Sequence, residues 1–327
     1  MKKIYTLSLL LACILSFGQA SDAFLGTGSL NANGWISHSG TTPGQVSIIP
    51  GSLMYSGLTS AGNKTQTLSG NTEDVSFSSA APLTTVGYYS AVINVQNTTG
   101  LAANTSIGDY PLMFGTLSTG ATPTLSVFTG RVYVKNGSIA NTFNIGVLNI
   151  SGGTVAPSFS STDFPIGTPI FVVVKYTPST TTANLWINPT IGSAEGAATL
   201  TNATGTTPAP AQVERFAIRQ ATSTGNIEID EVRIGSTWEY VTSSVLSTQK
   251  NSISGLKVYP NPAKNNLFIS SDSNQIKQVE IYNVLGKVVL NTKVTNASIN
   301  ISAIAAGVYV VKITEAGKTA TRKLVIE

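Results

Sequence analysis

One short segment carries three carboxylates near the spacing that acid–base chemistry on a sugar would use. Retaining hydrolysis needs a carboxylate nucleophile and a second carboxyl group as acid and base, and residues i, i+2 and i+4 of a strand share a face. Glu228 and Asp230 meet that spacing, but the third position is Val232. Glu231 is expected on the opposite face. We therefore expect a structural strand whose acids bond neighbouring loops or Arg233.

The other reactive residue types are scarce. His38 is the only histidine, no acid lies at metal-ligand spacing around it, and we expect it in a strand or turn. With one histidine and no Gly-x-Ser-x-Gly sequence, a serine triad is not expected. The only cysteine, Cys13, lies in a segment predicted to be removed, which excludes disulfides, cysteine zinc sites and thiol catalysis. We predict that the protein is not an enzyme.

Aromatic residues suggest binding instead. Leu185 and Ile187 share one face of a predicted strand, so Trp186 points to the other. If the first face is core, the indole lies on an open sheet surface and can stack on a sugar ring. We predict Trp186, Tyr133 and Tyr89 as ligand-binding residues, and Tyr55, Tyr88 and Tyr110 could add to the same platform. The alternative is that Trp186 packs under a loop.

No cofactor is expected from the sequence, although a structural calcium ion remains an alternative. Calcium takes about six oxygen ligands, and no Asp-rich loop has the internal spacing to supply them. The ligands stay unassigned. The residues that could contribute are Asp22, Asp74, Asp109, Asp163 and Asp230.

The elements that must position these residues are strands. Charged residues make up only 10% of the chain, and short apolar or alternating runs recur between Gly, Pro, Asn and Ser turns. No window shows a helical period of helix length. The pattern predicts a two-sheet sandwich without major helices. The predicted strands are residues 46–49, 89–95, 124–128, 131–134, 143–150, 170–176, 184–187, 213–219 and 227–234.

The first twenty residues have the layout of a secretory signal peptide. Lys2 and Lys3 precede an apolar run over residues 4–15, and small residues end at Ala20. We expect cleavage after Ala20. A weaker alternative is a lipoprotein signal ending at Cys13. No later segment is long and apolar enough to span a bilayer, so no transmembrane segment is expected after signal removal.

Composition divides the remainder into two domains. A polar, unpatterned stretch over residues 242–254 predicts a linker between a large domain (21–241) and a small domain (255–327). Residues 21–245 carry 7 Lys and Arg against 11 Asp and Glu, a net charge of −4; residues 246–327 carry 10 against 4, or +6. Because the seven cations of the large domain are scattered along the sequence, no nucleic-acid partner is expected.

The small domain carries four ordered motifs: YPNP from Tyr259, IYNVLGK, ISAIAAGVYVVKI and a basic-apolar ending, KLVIE. About seven short strands fit an immunoglobulin-like sandwich. The series resembles the type A C-terminal sorting domain of the type IX secretion system. The resemblance implies a partner in that secretion machinery, transit through the periplasm, and a secreted or cell-surface location. The motif residues are Tyr259, Pro260, Asn261, Pro262, Gly286, Gly307, Tyr309 and Lys323.

The large domain resembles secreted laminin-G/concanavalin-like jelly rolls of Bacteroidota. The blocks that carry the resemblance include residues 24–28, 130–135, 171–176 and 185–189, with Ile-Asp-Glu-Val-Arg-Ile (229–234) near the end. In such sandwiches the first and last strands pair, which implies that Phe24 lies near residues 229–234.

These expectations favour an exported, non-enzymatic binding module for a carbohydrate or another surface polymer. A structural or adhesive cell-surface protein is the alternative. A polysaccharide-active enzyme is a third reading, which the incomplete carboxylate spacing and the single histidine oppose.

Overall fold

The computed structural model describes residues 18–40, 42–60, 62–117, 124–244, 253, 255–273, 275–315 and 318–327. They form two compact units, one ending at Leu246 and one running from Ser247 to Glu327. These contain the large and the small domain. The predicted signal peptide up to residue 17, with its lipoprotein alternative, and most of the predicted linker lie outside the described residues.

The large domain is built from antiparallel strands joined by short turns. Its described residues also form one five-residue helix, α1 (Trp238–Thr242), and two 3-10 turns, Leu30–Asn33 and Pro178–Thr180. The strands are β1 (Ala20–Asp22), β2 (Gly28–Ser29), β3 (Ile36–Ser39), β4 (Ser47–Ile49), β5 (Lys64–Thr67), β6 (Asp74–Leu83), β7 (Gly87–Val95), β8 (Asp109–Leu117), β9 (Leu125–Asn136), β10 (Thr142–Leu148), β11 (Ser158–Phe159), β12 (Phe164–Pro165), β13 (Ile170–Thr177), β14 (Thr182–Ile187), β15 (Leu200–Asn202), β16 (Val213–Ile218) and β17 (Ile227–Gly235).

Two antiparallel sheets hold these strands. Among the described residues, the nine-stranded sheet has the order β15-β14-β13-β7-β17-β5-β4-β2, with β1 paired to β17. The eight-stranded sheet has the order β11-β10-β9-β8-β16-β6-β3, with β12 paired to β10. Two stacked sheets of this kind form a sandwich of the jelly-roll type. The predicted all-β sandwich is confirmed.

The core lies between the two sheets and is built by strand alternation. Tyr89 of β7 is fully buried there, with its ring 4.7 Å from that of Phe114 and 5.0 Å from that of Phe216. Burying one such apolar side chain contributes about 1.5–3 kcal/mol. Because the only cysteine is Cys13, this packing is the main source of stability for the large domain.

The first and last strands of the large domain pair, as the resemblance implied. Asp22 of β1 lies opposite Val232 of β17. Phe24 is fully buried and belongs to the same core cluster as Ile229 and Ile234. The two ends of the domain thereby close on one another.

A second apolar layer covers the outer face of the nine-stranded sheet. Phe171 and Trp186 point away from the core on this sheet and pack with Leu53 from a loop and Trp238 from α1. Thr237 caps the N-terminus of helix α1, because its hydroxyl accepts a hydrogen bond from the backbone N–H of Tyr240 (3.4 Å). Among the described residues, the outer face of the eight-stranded sheet has no apolar cover of this size.

Strand boundaries differ from prediction in two ways. The predicted strands 124–128 and 131–134 form one strand, β9, whose backbone has positive φ at Val127 (50°) and Gly130 (52°) and shifts register against β8. These bulges bend the strand without ending it. The predicted ranges did not include β1, β2, β3, β5, β6, β8, β11, β12 or β15.

The small domain is a second sandwich. Its described residues form a three-stranded sheet in the order β18-β19-β22 and a four-stranded sheet in the order β21-β20-β23-β24. Its own core includes Leu267, Val279 and Val311. The strands are β18 (Lys257–Tyr259), β19 (Asn266–Ser270), β20 (Lys277–Tyr282), β21 (Val288–Val294), β22 (Ala297–Asn300), β23 (Gly307–Glu315) and β24 (Lys318–Ile326). None of the helices in the described parts of the chain has the length and apolar character to cross a bilayer.

Replacing Tyr89 with Phe tests the packing at the centre of the large domain. The Tyr89 hydroxyl donates to Gly130 O (2.7 Å), so its loss leaves a buried carbonyl without that partner. We expect the free energy of unfolding to fall by about 1–2 kcal/mol. Urea denaturation followed by tryptophan emission measures it, because Trp35, Trp186 and Trp238 all lie in the large domain.

The matched control is Tyr259→Phe, because Tyr259 lies in the small domain and is 49% exposed. It should leave the tryptophan transition in place. Equal stability of Tyr89→Phe and the wild type would contradict the assignment of this hydrogen bond.

Candidate functional site

A bulge rearranges the predicted carboxylate strand. The pairing of β17 with β7 shifts register between Asp230 and Arg233, and Glu231 has a positive φ of 53°. The inserted residue restores Val232 to the core beside Ile229 and leaves Glu231 within 3.6 Å of Arg233. The prediction that Glu231 lies opposite Asp230 was therefore wrong, because it assumed unbroken alternation.

The carboxylates of β17 bind protein groups on the covered outer face of the nine-stranded sheet. Glu228 lies 2.7 Å from the Lys64 ammonium. Asp230 is 1% exposed and accepts from the backbone N–H of Leu53 (2.7 Å) and the hydroxyl of Ser60 (3.1 Å). Burial raises the pKa of Asp230 to about 6, against the opposing effect of these hydrogen bonds. These groups anchor the cover of the sheet.

Trp186 does not present an open face to a ligand. Its strand alternates as predicted, with Leu185 in the core and the indole on the outer face. The indole is only 5% exposed, donates to Gly196 O (2.9 Å) and packs edge-on against Trp238 at 4.9 Å. The alternative reading, that Trp186 lies under a loop, describes its position.

The three predicted ligand-binding residues are not brought together. Tyr89 lies inside the sandwich core, because it faces the opposite side of β7 from the assumed surface. Tyr133 is on the outer face of the eight-stranded sheet, 3% exposed, and so on a different sheet from Trp186. A platform made of all three rings is therefore not formed.

Alternation instead collects cationic side chains on the outer face of the eight-stranded sheet. On β9, Val132 and Val134 belong to the core, so Arg131, Tyr133 and Lys135 point outward. On β16, Phe216 and Ile218 belong to the core, which turns the alternate positions outward. Those positions are Arg215, Ala217 and, directly after the strand, Arg219.

Two guanidinium groups and two phenol rings meet on this face, and we call them the tyrosine–arginine cluster. The Tyr110 ring centroid lies 4.9 Å from the Arg131 guanidinium and 4.4 Å from that of Arg219. The Tyr133 ring is 5.2 Å from that of Tyr110. Guanidinium groups at these distances are attracted to the ring face. The cluster is thus held in place by its own contacts.

The accessible members of the cluster are Arg219 and Tyr110, whereas Arg131 and Tyr133 are buried beneath them. Arg219 uses one nitrogen on Asp109 (2.6 Å), and its side chain is 24% exposed. Arg131 donates from Nη2 to Ser151 Oγ (2.5 Å), whereas its Nε has no hydrogen-bond partner among the described residues. Burial raises the pKa of Tyr133, so its phenol stays protonated. The arrangement can offer cationic donors beside an aromatic ring to one ligand.

Small residues shape the sheet beside the cluster. Phe159 lies flat against Gly146, where an added Cβ would stand 2.8 Å from the ring. The Lys135 ammonium is 4.1 Å from the Phe159 ring centroid. This gives the face a second aromatic–cation pair, on strands β9 and β11.

Arg215 and His38 lie toward the other side of the same sheet. Arg215 is 3% exposed and donates three hydrogen bonds, to the hydroxyl and carbonyl of Ser76 and the hydroxyl of Ser78. Burial lowers the pKa of His38, although nearby Asp74 opposes the shift. The Arg215 guanidinium is therefore used in hydrogen bonds within the sheet, and His38 is neutral at pH 7.

No three metal-binding side chains come together in the parts of the chain that the structure describes. The Asp163 carboxylate illustrates why: hydrogen bonds from Ser138 and Asn144 occupy it and lower its pKa to about 2. The aspartates considered for calcium each accept hydrogen bonds from different protein donors; they are Asp22, Asp74, Asp109, Asp163 and Asp230.

The first sorting-motif residues tie the beginning of the small domain to its end. Asn261, in the Pro-Asn-Pro turn (260–262) after Tyr259, donates to Lys323 O (2.9 Å) and accepts from the Val325 N–H (2.9 Å). Both partners belong to β24. The turn and the last strand therefore form one structural unit.

The remaining motif residues shape turns. Gly286 has φ 77° in the turn between β20 and β21, a conformation that glycine adopts without strain. Gly307 begins β23, and the nearby Tyr309 hydroxyl donates to Ala305 O (2.7 Å). A tyrosine that bonds back to upstream backbone is typical of immunoglobulin-like sandwiches.

Comparison with known families identifies the small domain. Residues 257–327 match the family described as "Secretion system C-terminal sorting domain". The small domain is such a sorting domain, so the chain is directed to the cell surface or the extracellular space. The predicted resemblance is confirmed for this part of the chain.

The chain is also similar to an ulvan lyase of Nonlabens ulvanivorans, with 26% identity over 196 residues. The match covers 58% of this chain and 31% of the lyase, so the chain spans about a third of that relative's length.

Three solved structures are distantly similar. They are a sialidase (13% identity, TM-score 0.40, 67% of this chain and 18% of that one), peanut lectin (11%, 0.37, 66% and 95%) and lectin II from Ulex europaeus (13%, 0.36, 66% and 97%). The description of the fold rests on the strand order of the chain itself.

Asp230 should make the large domain less stable as pH rises. Its pKa in the fold is about 6, against an ordinary value of 3.8 for an aspartate, so folding favours the protonated form. The unfolded chain therefore loses this proton first, and the free energy of unfolding falls between about pH 4 and pH 6, by roughly 2–3 kcal/mol. Urea denaturation followed by tryptophan emission at pH 4, 5, 6 and 7 measures the change.

Asp230→Asn is the control, because an amide does not titrate in this range. The difference between wild type and variant isolates the carboxyl group from the other titrating residues. An identical pH dependence in the two proteins would contradict the role given to Asp230.

Proposed function

We propose that the large domain binds a polysaccharide on the outer face of the eight-stranded sheet once the sorting domain has directed the chain out of the cell. The observation that carries the proposal is the tyrosine–arginine cluster, which joins aromatic rings to guanidinium donors on that face. Tyr133, one of the ligand-binding residues expected from the sequence, belongs to it.

The chemistry of the cluster suits a sugar. An aromatic ring covers the apolar C–H face of a pyranose, while neighbouring donors reach its oxygen atoms. Tyr110 is half-buried, and both guanidinium groups of the cluster lie within 5 Å of its ring centroid. The arginines already cover the face of this ring, so a bound sugar would meet the exposed part of Tyr110 and the donors that it holds in place, at little cost in side-chain ordering.

A structural or adhesive surface protein is the alternative within the same setting. It would use the same exported domain to contact proteins or cells. Tyrosine and arginine are also enriched in protein interfaces, so the preference for polysaccharide rests on the small site that joins rings to directed donors and on the named relative. The named relative, an ulvan lyase, is itself a protein of polysaccharide chemistry.

A polysaccharide lyase is the second candidate, and the same similarity favours it. Elimination requires a base near the sugar ring. Tyr133 is a poor base at neutral pH, because burial raises the pKa of its phenol. His38 is neutral, and its charged neighbours are Asp74, Arg215 and Glu73, of which Asp74 also acts on Arg219 of the cluster. In the part of the chain that the structure describes, His38 itself makes no hydrogen bond to the cluster's rings or guanidinium groups. Binding without catalysis is therefore the function we propose.

Affinity electrophoresis of the full chain in gels that contain single polysaccharides, ulvan among them, tests the proposal. We expect at least one polysaccharide to retard the protein. Tyr110→Ala should weaken that binding by about tenfold, which corresponds to roughly 1.4 kcal/mol. The matched control is Tyr55→Ala, because Tyr55 is also half-buried but packs against Phe171 on the other sheet.

Retardation that Tyr110→Ala and Tyr55→Ala change equally would place the site elsewhere. If no polysaccharide retards the folded protein while whole cells or proteins capture it, the adhesive alternative replaces the proposal. Release of an unsaturated sugar product during incubation would establish the lyase instead.

A further inference from the structure

We infer that the polysaccharide bound at this face is anionic and that the guanidinium groups of Arg131 and Arg219 hold its carboxylate or sulfate groups. The inference rests on the proposed function and adds the chemical class of the ligand. The first observation is the distribution of charge. Residues 21–245 carry a net charge of −4, yet four of their seven cations point outward from one sheet. These are Arg131, Lys135, Arg215 and Arg219.

The acids of the same domain lie on both sheets. Glu228, Asp230 and Glu231 lie on β17 of the nine-stranded sheet, and Glu195 pairs with Lys175 of the same sheet. The strands of the eight-stranded sheet carry Asp74, Asp109 and Glu214, and Asp109 is bound to Arg219. The four outward cations outnumber these three acids, which favours an anionic ligand at this face over a neutral one.

The free donors match the geometry of an oxyanion. A guanidinium stacked on a ring has its faces occupied, and its in-plane N–H groups remain for hydrogen bonds. Arg219 commits one nitrogen to Asp109 and its side chain is 24% exposed, so it presents the accessible donors, whereas the Nε of Arg131, which has no hydrogen-bond partner among the described residues, is buried. Planar donor pairs of this kind bind carboxylate and sulfate oxygens better than neutral hydroxyls.

Partial burial strengthens this preference. Arg131 is 6% exposed and Tyr133 is 3% exposed, so the donors sit in a region with little water. A buried donor that lacks a partner is costly, and an anion satisfies it more fully than a hydroxyl does. Lys135, held over Phe159, adds a second cation along β9 for a further anionic group of the same chain.

Two pairs of polymers test the inference on the full chain. Polygalacturonate and its methyl ester differ in free carboxylate, and κ-carrageenan and agarose differ mainly in sulfate. We expect at least one anionic member to bind at least tenfold more tightly than its neutral counterpart, and its affinity to fall as NaCl is raised from 50 to 200 mM. The pair that shows the preference distinguishes carboxylate from sulfate.

Arg219→Gln and Arg131→Gln should each lose at least tenfold in affinity for that anionic polymer. Arg219→Lys should recover only part of it, because a lysine keeps the charge but not the planar pair of donors. The matched control is Lys175→Gln on the other sheet, which should bind as the wild type does. Tryptophan emission confirms that each variant is folded; if Arg131→Gln does not fold, Arg219→Gln and Arg219→Lys decide.

The outcomes separate the two proposals. Equal affinity for the anionic and neutral members of a pair overturns the anionic ligand and leaves polysaccharide binding in place. If the protein binds none of the four polymers and no polysaccharide retards it in the electrophoresis, both proposals are overturned. Salt-insensitive binding that survives Arg219→Gln also contradicts the inference.

Discussion

The large domain depends on one constraint: the nine-stranded sheet is apolar on both faces, so both must be covered. Its inner face packs against the other sheet, and its outer face presents Phe171 and Trp186. A two-layer sandwich would leave that second face in water, at a cost proportional to its apolar area. The chain covers it with a loop around Leu53 and with Trp238 of α1. Among the described residues, the outer face of the eight-stranded sheet has no apolar layer of this size, and there Tyr110 and Arg219 stay partly exposed.

The cover explains why the acidic strand is structural. Asp230 accepts from the Leu53 N–H, and Arg233 donates to Ser243 O just beyond α1 (2.6 Å), so charged side chains of one strand fasten two parts of the cover. The bulge at Glu231 turns these charges to the same side. A segment that reads as an acid–base pair in sequence therefore anchors a layer, while the cations on the opposite sheet keep donors for a ligand.

Much of this could be predicted from local pattern, and the misses have physical causes. Alternation correctly predicted that Trp186 points away from the core. The residues that cover it are distant in sequence, and periodicity does not reveal such contacts. The prediction for Glu231 was wrong because a bulge shifts the alternation of side chains there, and no glycine in the sequence indicates the bulge. Strand β6 was missed because its Ser and Ala residues lack the usual apolar run. Both tyrosines of the cluster were among the aromatic residues considered for binding, but their arginine partners were missed because β8, which carries Tyr110, was missed; the alternation of Arg131, Tyr133 and Lys135 was the available signal.

The central claim is that ligands meet the eight-stranded sheet and not the covered one. Hydroxyl-radical footprinting of the full chain, with and without a polysaccharide that retards it, tests this claim most directly. The account predicts reduced oxidation of Tyr110 and Phe159 in the complex, with unchanged oxidation of Met54, which is 77% exposed next to the cover residue Leu53. Protection of Met54 with Tyr110 and Phe159 unchanged would contradict it.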